Sequence, residues 1–88
     1  MSDCLVGKVV VSVMGHDEGK RFLVIREEEA FVYLSDGKSR TMKSPKKKKK
    51  KHVEICEEHI SEQMVEKLQS GAVVYDHEVI HALRNANK

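Results

Sequence analysis

Six consecutive lysines, Lys46, Lys47, Lys48, Lys49, Lys50 and Lys51, are the densest concentration of chemistry in this chain. A folded core has no means to bury such a run, since each ammonium would lose its hydration with no counter-charge in return. The run is therefore expected in a solvated loop over residues 43–52, and a polyanion is the ligand that suits it. Lys20, Arg21, Lys38, Arg40 and Lys43 fall at turns or loop entries and are expected to reach phosphates with it. Two competing readings of the lysines are a nuclear-import address and a loop that is merely solvated.

A second constellation is His77-Glu78-Val79-Ile80-His81, which matches H-E-x-x-H. On a helix it would set two imidazoles on one side to hold zinc, with the glutamate activating a bound water. Its surroundings oppose that chemistry. The apolar arc is Val79, Ile80 and Leu83, which leaves both histidines toward solvent, and Glu78 in a first helical turn is explained by the helix dipole. Cys56 and His59 have no companion pair at zinc-ligand spacing. Neither a nucleophilic triad nor a phosphate-cradling glycine loop before a helix is found. The expectation is a protein with no enzymatic activity, no metal or cofactor and no small-molecule substrate.

These residues need a scaffold. At 88 residues the chain is long enough for one small domain. Its formal net charge of +2 conceals polarity: residues 1–53 hold 13 Lys/Arg against 7 Asp/Glu, and residues 54–88 hold 3 against 7. The two cysteines, Cys4 and Cys56, are too few for a disulfide framework. No secretory signal is read ahead of the first charged residues, the longest apolar stretch falls short of a membrane span, and serine at position 2 stands where myristoylation needs glycine, so neither export nor anchoring is expected. A cytoplasmic protein with free thiols and no membrane association is expected.

The β-branched run Lys8 to Met14 reads as a strand with two apolar faces, one for a barrel interior and one needing another cover. Phe22 to Arg26 and Ala30 to Leu34 read as further strands, after a loop over Gly15 to Gly19. At most one of Phe31 and Tyr33 is expected inside. The outward one is able to stack a base, although filling the core or a helix interface is the stronger expectation. Asp36-Gly37 signals a tight hairpin, followed by a short strand around Ser39 to Met42 and a fifth over His52 to Ile55. The period then becomes helical, with helices over about 61–70 and 76–86, caps at Ser61 and Asp76, and Gly71 just past the first helix. The fold class is thus mainly β with a small α part. It comprises a small closed barrel of about five strands over residues 1–55 and a C-terminal helical hairpin over 56–88, packed on the first strand.

The series Gly7, Val9, Val10, Ser12, Gly15, Asp17, Gly19, Phe22 and Val24 resembles the KOW signature of large-subunit ribosomal proteins of the fourteen-e type and of small stand-alone KOW RNA-binding proteins. The likeness continues through Asp36-Gly37, Arg40, Lys43, Pro45, the lysines and His52, about the first 55 residues. It implies an SH3-like barrel that binds structured RNA, most often ribosomal, without catalysis. His16 and the acidic Glu18 depart from the family loop, and the acidic helical tail departs from the basic extensions of ribosome-embedded proteins.

The resulting expectation is an RNA-binding, ribosome-associated protein of translation. Its first expected partner is ribosomal RNA, with ribosomal proteins or translation factors as further candidates. Its acidic helices are expected to shade the lysines when RNA is absent. The alternative from another class is an adaptor that docks a translation or transcription factor and uses the lysines only for steering.

Overall fold

The apolar run after Gly7 forms strand β1, Lys8–Ser12, which separates the two halves of the core. The computed structural model describes residues 4–87. Strands β2 (Arg21–Glu27), β3 (Phe31–Ser35), β4 (Lys46–Lys49) and β5 (Val53–His59) join β1 in one antiparallel sheet of order β4-β3-β2-β1-β5. A 3₁₀ turn, Lys50–His52, links β4 to β5, and helices α1 (Glu62–Ser70) and α2 (Asp76–Arg84) follow. The chain is mainly β with two C-terminal helices, as expected. The sheet is open instead of closed, because β4 and β5 are its two edges. Register shifts in the β1–β5 and β2–β3 ladders bend it into a barrel-like form.

The two faces of β1 belong to two apolar clusters. Val10 packs with Phe22, Val24, Val32 and Leu34 on the inner side. Val9 and Leu23 face the other way, beneath Met64, Leu68, Val79 and Leu83 of the helices. The helices therefore supply the cover that a two-sided strand needs, and burying each such valine contributes about 1.5–3 kcal/mol. Ser61 caps α1 by accepting the Met64 N–H at 3.3 Å, and Gly71 ends it in the left-handed region. Asp76 is not the cap expected of it. It is the first residue of α2, and its carboxylate accepts the Met42 N–H at 2.7 Å, tying the β3–β4 connection to the helix. Tyr75 precedes α2, and its N–H is taken by Glu78 at 2.9 Å.

Two expected strands differ. Ser39 to Met42 is not a strand, because Asp36 closes the chain on itself there. Its carboxylate accepts the N–H groups of Lys38 and Arg40 and the Ser39 hydroxyl, each at 2.9 Å. Asp36-Gly37 thus opens a side-chain-bonded turn and not a two-residue hairpin. The fourth strand begins only at Lys46, so Lys46–Lys49, four of the six lysines expected as a loop, are themselves in the sheet, and Lys50 and Lys51 lie in the 3₁₀ turn. The fifth strand starts after His52 and runs to His59, beyond the boundary at 55.

Gly37 has φ +77°, and a Cβ there would stand 2.5 Å from the Asp76 carbonyl oxygen and 2.7 Å from Ile80. Gly19, at φ +88°, has open space around it. Gly37→Ala is expected to lower stability by about 1–3 kcal/mol from strain, with a steric cost added, and Gly19→Ala by the strain alone. Urea unfolding of the two variants side by side checks the order; equal losses would mean that α2 does not hold the turn.

Candidate nucleic-acid interface

Pairing fixes what each lysine does. β4 lies antiparallel to β3 with Phe31 opposite Lys49, Val32 opposite Lys48, Tyr33 opposite Lys47 and Leu34 opposite Lys46. Side chains alternate across a strand, so Lys46 and Lys48 turn to one side and Lys47 and Lys49 to the other.

Lys48 is buried, contrary to the expectation that the whole run stays solvated. Its ammonium donates to Asp17 Oδ1 and to the Met14 carbonyl, each at 2.6 Å. The same Asp17 oxygen accepts the Ser12 hydroxyl at 3.0 Å. Burial pushes the Asp17 carboxyl up, but the hydrogen bonds from Lys48 and Ser12 and the Lys48 charge outweigh it and hold it below the usual range. Its other oxygen, Oδ2, is buried with no hydrogen-bond partner, so loss of Lys48 would leave the carboxylate with neutral donors such as the Ser12 hydroxyl and no cation.

Lys50 is tied as well, to Glu27 at 2.7 Å. That bond, with the Leu5 N–H at 2.9 Å, keeps the Glu27 carboxyl below its ordinary value. Lys47 rests over the Phe31 ring, 4.4 Å from its centroid, with Glu28 at 3.7 Å. Among the described residues, Lys46, Lys49 and Lys51 have no ion-pair partner. The counter-charges of the run come from Asp17, Glu27 and Glu28 in the sheet and its loops. No helical carboxylate forms an ion pair with the run among the described residues.

The β1–β2 loop and the β3–β4 connection meet at one end of the sheet. Between them lies a cleft of about 430 Å³ whose walls include His16, Lys20, Arg40, Lys46 and Lys48. Lys20 is exposed and Arg40 half-buried at this cleft, while Lys38 and Lys43 are exposed along the connection. Arg21 is placed elsewhere. Its guanidinium is paired with Glu58 and donates to the Leu83 carbonyl at 2.9 Å, joining β2 to β5 and α2. Of the remaining motif residues, Val9, Val10 and Phe22 are core, Gly7 is buried beneath Val65 of α1, and Gly15 and Gly19 take positive φ in the loop that carries Asp17.

Phe31 and Tyr33 do not divide between inside and outside as expected: two apart, they share one face, and neither fills the core or the helix interface. Both sit on the outer side of β3, flanked by Lys47 and by Arg26, whose guanidinium carbon is 5.3 Å from the Tyr33 centroid. The period-two rule applied to these two positions would have found this surface.

In His77-Glu78-Val79-Ile80-His81 both histidines are exposed, and Glu78 is occupied by the Tyr75 N–H and by Lys67 at 2.7 Å. Among the described residues no three His, Cys, Asp or Glu side chains stand close enough to hold a metal. Cys4 and Cys56 are free thiols, and burial, with Glu58 nearby, raises the Cys56 pKa. No helix of the described residues is long and apolar enough to cross a membrane. In comparisons with known proteins, no family model and no curated relative matches this chain.

Lys48→Met leaves the half-buried Asp17 without its cation and is expected to cost about 1–3 kcal/mol in urea unfolding, against less than about 0.5 kcal/mol for Lys49→Met. The pH dependence follows from the same pairs. The folded-state pKa values of Asp17 and Glu27 are depressed, so their contribution is present above the unfolded carboxylate pKa of about 4 and is lost as pH falls through the folded values. The wild-type unfolding midpoint is expected to be flat from about pH 6 to 8 and to drop below about pH 4. The acid-induced drop should be smaller in Lys48→Met; a drop of undiminished size would assign the acid sensitivity to other groups.

Proposed function

We propose that this protein binds RNA without catalysing a reaction on it, and that it does so in the cytoplasm on ribosomal RNA or a ribosome-assembly intermediate. The observation that carries the reading is the convergence of Lys20, Arg40 and Lys46 on one cleft, beside an edge strand whose Lys49, like the neighbouring Lys51, has no internal counter-charge among the described residues. Cations without a partner lose no existing ion pair when they meet phosphate, and each phosphate neutralised releases condensed counterions. A concave site between two loops favours an irregular, folded backbone over a smooth groove. The resemblance of residues 7–24 to the KOW signature supports ribosomal RNA as the polyanion. The rival adaptor reading leans on the exposed Val73 and Tyr75 between the helices, remote in sequence from the lysines.

The test must spare the lysines that hold the fold. Replacing Lys46, Lys49 and Lys51 together by serine is expected to leave the unfolding midpoint nearly unchanged. The same change should weaken binding to ribosomal RNA fragments and reduce the slope of log K against log salt by about 2 to 3. Unaltered affinity and slope would remove the main support for RNA binding. Loss of a bound protein on replacing Val73 and Tyr75, with RNA affinity intact, would favour the adaptor.

A further inference from the structure

The outer face of β3 is apolar where a solvent-facing strand is usually polar. The chain has only two phenylalanines and two tyrosines, and one of each, Phe31 and Tyr33, lies on this face. They are half-buried, roughly 7 Å apart along the strand, and bordered by cations from both neighbouring strands. Arg26 of β2 approaches the Tyr33 ring at 5.3 Å. Lys47 of β4 lies 4.4 Å from the Phe31 centroid and 5.9 Å from that of Tyr33. Glu28 completes the patch, accepting the Tyr33 hydroxyl at 3.3 Å and standing 3.7 Å from Lys47 and 4.0 Å from Arg26.

We infer that this face is a stacking platform for unpaired RNA bases, with Phe31 and Tyr33 as the two rings and Arg26, Lys47 and Lys49 as phosphate contacts. The inference rests on the RNA-binding reading and names the substrate class within it. Two rings at i and i+2 on a sheet face present successive flat surfaces, and base stacking on them needs no sequence match. Lys47 covers Phe31 in the free protein, yet its side chain is 50 % exposed and its link to Glu28 is long. An arriving base takes the ring face, and the displaced ammonium is left free for the adjoining phosphate. β4 also joins the two surfaces, since Lys46 lines the cleft while Lys47 and Lys49 belong to the outer face. A flexible single strand is able to pass from the cleft around this edge. A duplex, stiff over lengths far greater than this domain, is not.

The experiment compares a 12-nucleotide oligouridylate with a blunt RNA duplex of equal phosphate number, by fluorescence anisotropy of the labelled RNA. The proteins are wild type, Phe31→Leu, Tyr33→Leu, and the Lys46, Lys49 and Lys51 to serine variant. Leucine keeps the apolar cover of the strand, and an unchanged unfolding midpoint verifies it. The expected result is a loss of at least about fivefold in oligouridylate affinity for each ring removed, with an unchanged salt slope and unchanged duplex affinity. Ultraviolet crosslinking of the wild-type complex should place uridine on the peptide containing Phe31 and Tyr33. If both leucine variants bind oligouridylate as wild type while the serine variant loses affinity and slope, the platform is overturned and RNA binding stands. Should wild type bind neither RNA, the RNA reading fails and takes the platform with it.

Discussion

Strand β4 contributes no apolar side chain to either cluster, and beyond its backbone ladder with β3 it is the ion pair between Lys48 and Asp17 that ties it to the β1–β2 loop. Backbone pairing with β3 supplies register, but a ladder at an exposed edge gives little net stability when water competes for the same groups. Lys48 reaches from the edge to the β1–β2 loop, 31 residues away in sequence, and donates to both Asp17 and the Met14 carbonyl. A leucine in its place would fill space but satisfy neither oxygen. The flexible four-carbon stem allows one cation to bridge a strand and a loop that are not neighbours in the sheet. The cleft lies directly at this joint, with Lys46 on the same side of β4 as Lys48. Its geometry therefore depends on the buried pair.

An open sheet has two edges, and here they carry opposite charge. β4 is all lysine, whereas β5 holds Glu54, Glu57 and Glu58. Lysines on an edge also discourage pairing with another chain, since stacking two such strands would set like charges face to face. That role and phosphate binding do not conflict, because both require cations that remain solvated. The polarity of the sheet gives the molecule a directional field despite its small net charge, and on the proposed RNA-binding reading such a field would orient it toward the polyanion before contact.

The sequence made the helices and the central strands legible for a clear reason. Valine and leucine at period two, and Met64, Leu68, Val79 and Leu83 at helical spacing, report burial directly. The lysine run carries no such signal. A homopolymer has no period, and lysine disfavours strands by propensity, so only the pairing with β3, supported by the remote partner Asp17, reveals that Lys46–Lys49 is a strand. Asp36-Gly37 misled for a related reason, since the dipeptide suits both a hairpin and a turn closed by the aspartate side chain. Asp76 has the chemistry of a helix cap, yet the Met42 N–H, 34 residues away, claims its carboxylate. In each case a hydrogen bond or ion pair made by a carboxylate decides between structures that local preference leaves open or ranks wrongly. The candidate site was legible as a set of cations. Their division into structural and free ones was not.

That division has a physical order. Lys46, Lys49 and Lys51 have no internal partner among the described residues and are available to phosphate at once. Lys47 is next, because leaving a half-exposed ring and a carboxylate 3.7 Å away forfeits little in water. Lys50 would have to give up a 2.7 Å bond to Glu27, a carboxylate that also fixes the Leu5 N–H, so its release would loosen the segment leading into β1. Lys48 does not leave at all without stranding Asp17 in a buried site. Six identical residues thus span the range from free ligand contact to structural anchor, and strand alternation together with three acidic neighbours is sufficient to grade them. A polyanion meeting this surface gains charge contacts from the free lysines first, and any further gain comes against the pairs that hold the edge strand in place.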